Sequence, residues 1–228
     1  MTPFDRLFAV MIKPSVVVLY VGLVILSFLY LDQPIANYFH NVDVRTNLSI
    51  INWITKLGMG IVYVPALFLL ACFFRYQRVN KGWEARSWFL LMCVVIPGSI
   101  CGFIKVILGR ARPDMWFDGQ FYGFYGFHSD ATFWSFPSGH TSVIMGITLG
   151  LSVLFPRHFY TLLLAGLTVA STRIVLTHHY LSDVLSAFYL TVLEIGVLLC
   201  ILRRKSWLAP ALKHTYNCVL LRDNVDVI

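Results

Sequence analysis

The chain has 228 residues, of which 58% are hydrophobic and only 13% charged, whereas a soluble domain usually carries about 25% charge. The length suits one compact membrane-embedded domain rather than two. The net charge of +7 does not indicate nucleic acid, because the cations flank apolar runs instead of forming a basic stripe with exposed aromatics.

From the N-terminus, residues 1–14 read as an amphipathic segment, with 2–12 expected to lie along the membrane surface. No small-residue cleavage site precedes a mature domain, so the first apolar run is expected to be a retained span rather than a cleaved signal. Runs long enough to cross a bilayer place six transmembrane helices near 15–31, 50–74, 87–108, 138–155, 159–177 and 181–202. The fold class is therefore all-α, a single helical membrane bundle over 1–228, with a polar tail at 206–228. The cysteines Cys72, Cys93, Cys101, Cys200 and Cys218 sit mostly inside apolar runs without metal-type pairing and read as small packing residues.

Lys and Arg counts set the orientation. With the N-terminus inside, Arg45, Lys56, Lys105, Arg110, Arg112 and Arg173 fall outside, and the other twelve of 18 fall on the cytoplasmic side. Both termini and the 206–228 tail are then cytoplasmic. The longest loop, 109–137, lies on the outer face and holds ten aromatics between Trp116 and Phe136. Tyr and Trp favour the headgroup layer, so the loop is read first as an interfacial anchor and second as a lid or wall that guides a lipid.

Three segments place strong charge at the ends of apolar runs, where ionisable residues mark a functional site. Lys105 and Arg112 are seven residues apart; on one helix they would share a face, with Pro113 ending that helix. Arg110 falls off this pattern and reads as a snorkelling cation, as does Lys56. Ser138 is a good helix N-cap, Gly139 permits close backbone approach, and the first-turn N–H groups suit an anion. His140 sits within reach of such an anion. Arg173 closes the fifth span. His179 and Asp183, four apart at the start of the sixth, are expected to stack on one helix face, where the carboxylate would fix the imidazole tautomer and raise its nucleophilicity. His178 points elsewhere and reads as structural. Glu194 lies 15 residues past His179, about 22 Å along a helix, and stays outside the site.

Three cations around two imidazoles attract a phosphate trianion and repel a divalent metal, so a metal centre built from His140, His178, His179 and Asp183 is the weaker alternative. On the residues alone either imidazole is a candidate nucleophile, with Asp183 favouring His179.

The spaced set Lys105-x6-Arg112-Pro113, Pro137-Ser138-Gly139-His140 and Thr172-Arg173-x5-His179-x3-Asp183 resembles the signature of the type 2 phosphatidic acid phosphatase family. Thr172 is the one departure, standing where that family usually has Ser. The motifs cover 105–183, and the six-span layout extends the similarity over nearly the whole chain. The resemblance implies a metal-independent lipid phosphate phosphatase without a cofactor. In it His179 is the nucleophile, Asp183 its orienter, His140 the acid and base, and Lys105, Arg112, Ser138, Gly139 and Arg173 the phosphate ligands. It further implies a bacterial inner-membrane protein with its site on the periplasmic or extracellular side. Undecaprenyl pyrophosphate is the first expected substrate, ahead of the phosphates of lipid A, phosphatidylglycerol phosphate and phosphatidate. Phosphotransfer to a lipid acceptor, a vanadium haloperoxidase and a non-catalytic lipid-phosphate binder or transporter are the competing readings. The six spans count against the haloperoxidase, and the His179–Asp183 pair with His140 counts against the binder.

Overall fold

The computed structural model describes residues 1–42, 49–205, 208, 211 and 212. The expected 206–228 tail lies almost entirely outside the described residues. Thr2 opens the first helix, α1 (Pro3–Met11), through a capping box. Its hydroxyl accepts from Asp5 N at 3.2 Å, and the Asp5 carboxylate accepts from Thr2 N at 2.9 Å. α1 packs onto the bundle. Phe4 and Phe8 are buried, Phe8 packs against Gly196, and Asp5 accepts from Arg203 Nη1 at 2.9 Å.

α2 (Pro14–Leu26) continues through a π-helical turn, Ser27–Leu31, into α3 (Asp32–Val42). A π turn adds a residue and rotates the face that follows it. Asp32 is buried although Leu29, Tyr30 and Leu31 just before it are exposed. α4 (Ser49–Thr55), the tight turn Lys56–Gly58 and α5 (Gly60–Tyr76) form a span bent by 49°. α6 (Lys81–Leu108) is capped by Asn80, whose side chain accepts from Gly82 N and Trp83 N. It ends at Gly109, which is left-handed with φ 53°. A short α7 (Pro113–Gly119) follows in the long loop, then α8 (Gly139–Leu154), α9 (Phe159–Val175) and α10 (Leu181–Arg204).

The described fold is all-α, with no strand among the described residues. Four helical runs are long and apolar enough to cross a membrane, and the bent α4–α5 pair makes a fifth. The fourth expected span, α8, is only 16 residues long. It is also the hub, packed against α6, α9 and α10. Small residues let it sit there: a Cβ on Gly146 would come within 2.3 Å of the Cys93 carbonyl, and Gly150 abuts Cys93 as well. The opposite character appears on α2 and α5, where Val18, Leu19, Ile61, Val62 and Leu69 are exposed. So much apolar surface on the outside of a bundle is a face for lipid, and the protein is an integral membrane protein.

Candidate active site

The loop from Gly109 to Phe136 builds one wall of the site by folding back on the end of α6. Backbone N–H groups of Tyr125, Gly126 and His128 donate to the carbonyls of Gly109, Leu108 and Val106, and Arg112 N donates to Thr132 O. Gly109 is required here twice over, by its positive φ and because a Cβ would collide with Gly126 O. Lys105 Nζ then donates to Trp134 O at 2.7 Å, and Arg112 Nε to Ala131 O at 3.0 Å.

This corrects the expected helical relation between Lys105 and Arg112. The helix stops at Leu108, and Pro113 begins a helix at its first position instead of ending one. Arg112 is the residue before that proline, held extended, and the loop brings it to Lys105.

Ser138 occupies the N-cap position of α8, but its hydroxyl makes no capping bond to the helix and instead accepts from Thr141 Oγ1 at 3.0 Å. Gly139 faces Lys105, with space for a Cβ at 3.6 Å from Lys105 Cε, so close packing is not what calls for glycine here. His140, half-buried, feels the charges of Arg173, Lys105 and Arg112. Arg173 is buried near the end of α9 and donates through Nη1 to Thr55 Oγ1 at 2.9 Å. Gly58 lies against His140, where a Cβ would stand 3.1 Å from the imidazole's own Cβ. The break between α4 and α5 therefore covers the site, a contribution for which the sequence carried no motif.

His179 precedes the last helix instead of lying on it. Tyr180 is the N-cap of α10, and Asp183 Oδ2 accepts from Tyr180 N at 2.9 Å and from Ser135 Oγ at 2.6 Å. His179 Nδ1 stands 3.5 Å from the same Oδ2, an ion-pair distance too long or too poorly aligned for a hydrogen bond. The carboxylate thus addresses Nδ1 and leaves Nε2 as the ring's other nitrogen. Burial holds the His179 pKa well below its usual value against the pull of Asp183, and Lys105 and Arg173 push the same way as burial. A lowered pKa favours the neutral ring.

Arg110 is not a snorkelling cation. Its side chain is completely buried, with Nη1 donating to Asp183 Oδ1 at 2.5 Å and Nη2 to Asp32 Oδ2 at 2.7 Å. Neither Asp32 nor Ser135 belongs to a spaced motif. The signal for Asp32 was an acid directly after an apolar run of membrane length, and that for Arg110 was a second arginine two residues before Arg112. The aromatic loop divides its work. Phe121, Tyr125 and Phe127 are exposed, whereas Tyr122 points inward, its hydroxyl donating to Phe28 O.

The PAP2 superfamily model matches residues 86–207. Over 103 residues the chain is 34% identical to a lipid A 1-phosphatase of Rhizobium etli, a stretch that makes up 44% of each chain. It is 33% identical over 103 residues to a lipid A 1-phosphatase of Rhizobium johnstonii, covering 44% of this chain and 42% of that one. The match therefore spans less than half the length of these curated relatives. No solved structure matches the chain significantly.

Proposed function

Because the chain belongs to the PAP2 superfamily, the type 2 phosphatidic acid phosphatases, we propose that it hydrolyses a lipid-anchored phosphate through a phosphohistidine on His179. The observation that carries this reading is the meeting, at one end of a membrane bundle, of a carboxylate-backed neutral imidazole with a second imidazole and three cations.

In the first step Nε2 of His179 attacks phosphorus while the bond from phosphorus to the lipid oxygen breaks. Its electron pair leaves with that oxygen, which takes a proton from His140. The ring keeps its Nδ1 proton, directed at Asp183, and so becomes cationic. In the second step water attacks phosphorus, gives a proton to His140, and frees inorganic phosphate and His179. Lys105, Arg112, Arg173, Ser138 and the Gly139 amide hold the phosphoryl oxygens as charge develops on them. Among the described residues no three His, Cys, Asp or Glu side chains group as metal ligands would.

The relatives named above favour a lipid A phosphate as substrate, ahead of undecaprenyl pyrophosphate. We read six crossings, counting the bent pair and the short α8; an even number leaves both termini on one side, and the Lys and Arg bias favours the cytoplasm of a bacterial inner membrane for that side, with the site on the outer side. The 1–228 chain acts as one domain. The test is phosphate release by the detergent-purified protein with EDTA present, across lipid A, undecaprenyl pyrophosphate, phosphatidylglycerol phosphate and phosphatidate. Release that resists EDTA and disappears in His179→Ala supports the reading. Release abolished by EDTA, or retained by His179→Ala, contradicts it.

A further inference from the structure

Asp32 and Arg110 take no part in the two steps just described, yet both are tied to the nucleophile. The side chains of Asp32, Arg110 and Asp183 are all 0% exposed. Arg110 Nη1 reaches Asp183 Oδ1 at 2.5 Å and Ser182 Oγ at 2.7 Å, and Nη2 reaches Asp32 Oδ2 at 2.7 Å. Asp32 also accepts from Ser182 N at 2.9 Å and from the Ser182 hydroxyl. The rings of Phe28, Tyr122, Phe124 and Tyr180 enclose the guanidinium, with centroids between 4.6 and 5.6 Å from its carbon. Asp32 lies outside the stretch that the superfamily model matches.

Burying three charges is a poor way to gain stability, since apolar side chains of similar volume commonly serve as well or better. The arrangement instead answers an electrostatic requirement of the reaction. Asp183 and Arg110 alone would cancel, and a neutral pair offers nothing to an imidazole that turns cationic in a buried site. Asp32 supplies the second carboxylate. Two carboxylates around one guanidinium leave one net negative charge beside His179, equal and opposite to the charge its ring acquires on phosphorylation.

We propose that Asp32 and Arg110 are positioning residues for His179: Arg110 fixes the Asp183 carboxylate, and Asp32 restores to the cluster the negative charge that Arg110 cancels. The inference rests on His179 being the nucleophile, as proposed above. Because Asp32 belongs to the first membrane helix, that helix becomes part of the catalytic apparatus, although it holds no residue that touches the phosphate.

The experiment compares full-length wild type, Asp32→Asn and Asp32→Glu in detergent, with lipid A as substrate, or short-chain phosphatidate if wild type turns that over faster. Asp32→Asn is expected to lower kcat by about 10–100-fold while KM changes less than about threefold, the pattern of a residue that acts through the one that reacts. Asp32→Glu, which restores the charge, recovers part of the lost kcat. A merely structural role would lower the amount of folded enzyme and leave kcat per active site unchanged, so active sites are counted by trapped phosphoenzyme. If Asp32→Asn does not stay monodisperse, Arg110→Lys carries the test: it keeps the cation but loses one of the two contacts, and the same loss in kcat alone is expected. Wild-type kcat in whichever variant is folded, or a loss expressed only in KM, overturns the inference. Wild type that releases no phosphate from any lipid, or His179→Ala that still turns over, overturns instead the reading on which it stands.

Discussion

Two kinds of cation meet in the stretch from Lys105 to Arg112. Lys105 and Arg112 donate to the backbone carbonyls of Trp134 and Ala131, neutral acceptors that orient a charge without cancelling it. Arg110, two residues before Arg112, gives its terminal nitrogens to two carboxylates inside an aromatic enclosure. On the proposed mechanism the first arrangement leaves positive charge for an incoming phosphate, and the second spends it on holding protein groups. Residue type and membrane depth do not separate a ligand-binding arginine from a scaffolding one. The acceptors do.

Replacing each cation in turn tests that contrast. Arg110→Ala should do the most damage to the fold, because it leaves two buried carboxylates without a counter-charge, at a cost of about 3–5 kcal/mol. Thermal unfolding in detergent should show a large fall in midpoint or the loss of monodisperse protein. Lys105→Ala and Arg112→Ala should leave that midpoint close to wild type and lower kcat/KM by about 10²–10³-fold, since they remove charge aimed at the transition state. If all three variants unfold alike, the contrast is void.

Beneath the site, the contrast depends on α8 keeping its place. Gly146→Val would drive a side chain into the Cys93 carbonyl. It should cost about 1–3 kcal/mol, lowering the unfolding midpoint while the kcat of the folded fraction is retained. At the small end, Lys56 is exposed and stacks on Trp53 at 3.9 Å. Lys56→Gln should change stability by less than about 0.5 kcal/mol and leave turnover unaltered. An effect of Lys56→Gln as large as that of Lys105→Ala would show that positive charge in general, rather than the oriented pair, binds the phosphate.

Much of this site could be read from spacing. The residues from Lys105 to Asp183 to which we assign the chemistry lie in short ordered motifs, and the helices holding them are apolar runs of recognisable length. What spacing hid is three-dimensional. A separation of seven between Lys105 and Arg112 looks like two helical turns, but the left-handed Gly109 breaks the helix, so the loop's own hydrogen bonds do the positioning. A separation of four between His179 and Asp183 looks like one helix face, yet the helix begins between them. Asp32 was missed because the first span was drawn to end at residue 31, and a π turn then carries the next side chain inward. Thr55 and Gly58 were missed because covering a site needs only a bend and a small residue, and neither makes a motif. The central place of α8 had a faint signal in Gly146 and Gly150, four apart, which let a shorter helix pack closely on its neighbours.

The central claim is that His179 carries the phosphoryl group. The direct measurement is mass spectrometry of the protein quenched in alkali during turnover, for wild type and for His140→Ala, in which release of phosphate from the enzyme should slow and the intermediate should accumulate. The account predicts one phosphoryl group on the peptide containing His179, more abundant in His140→Ala and absent from His179→Ala. A phosphoryl group on His140, or undiminished phosphate release with no phosphorylated histidine under the same quench, would contradict it.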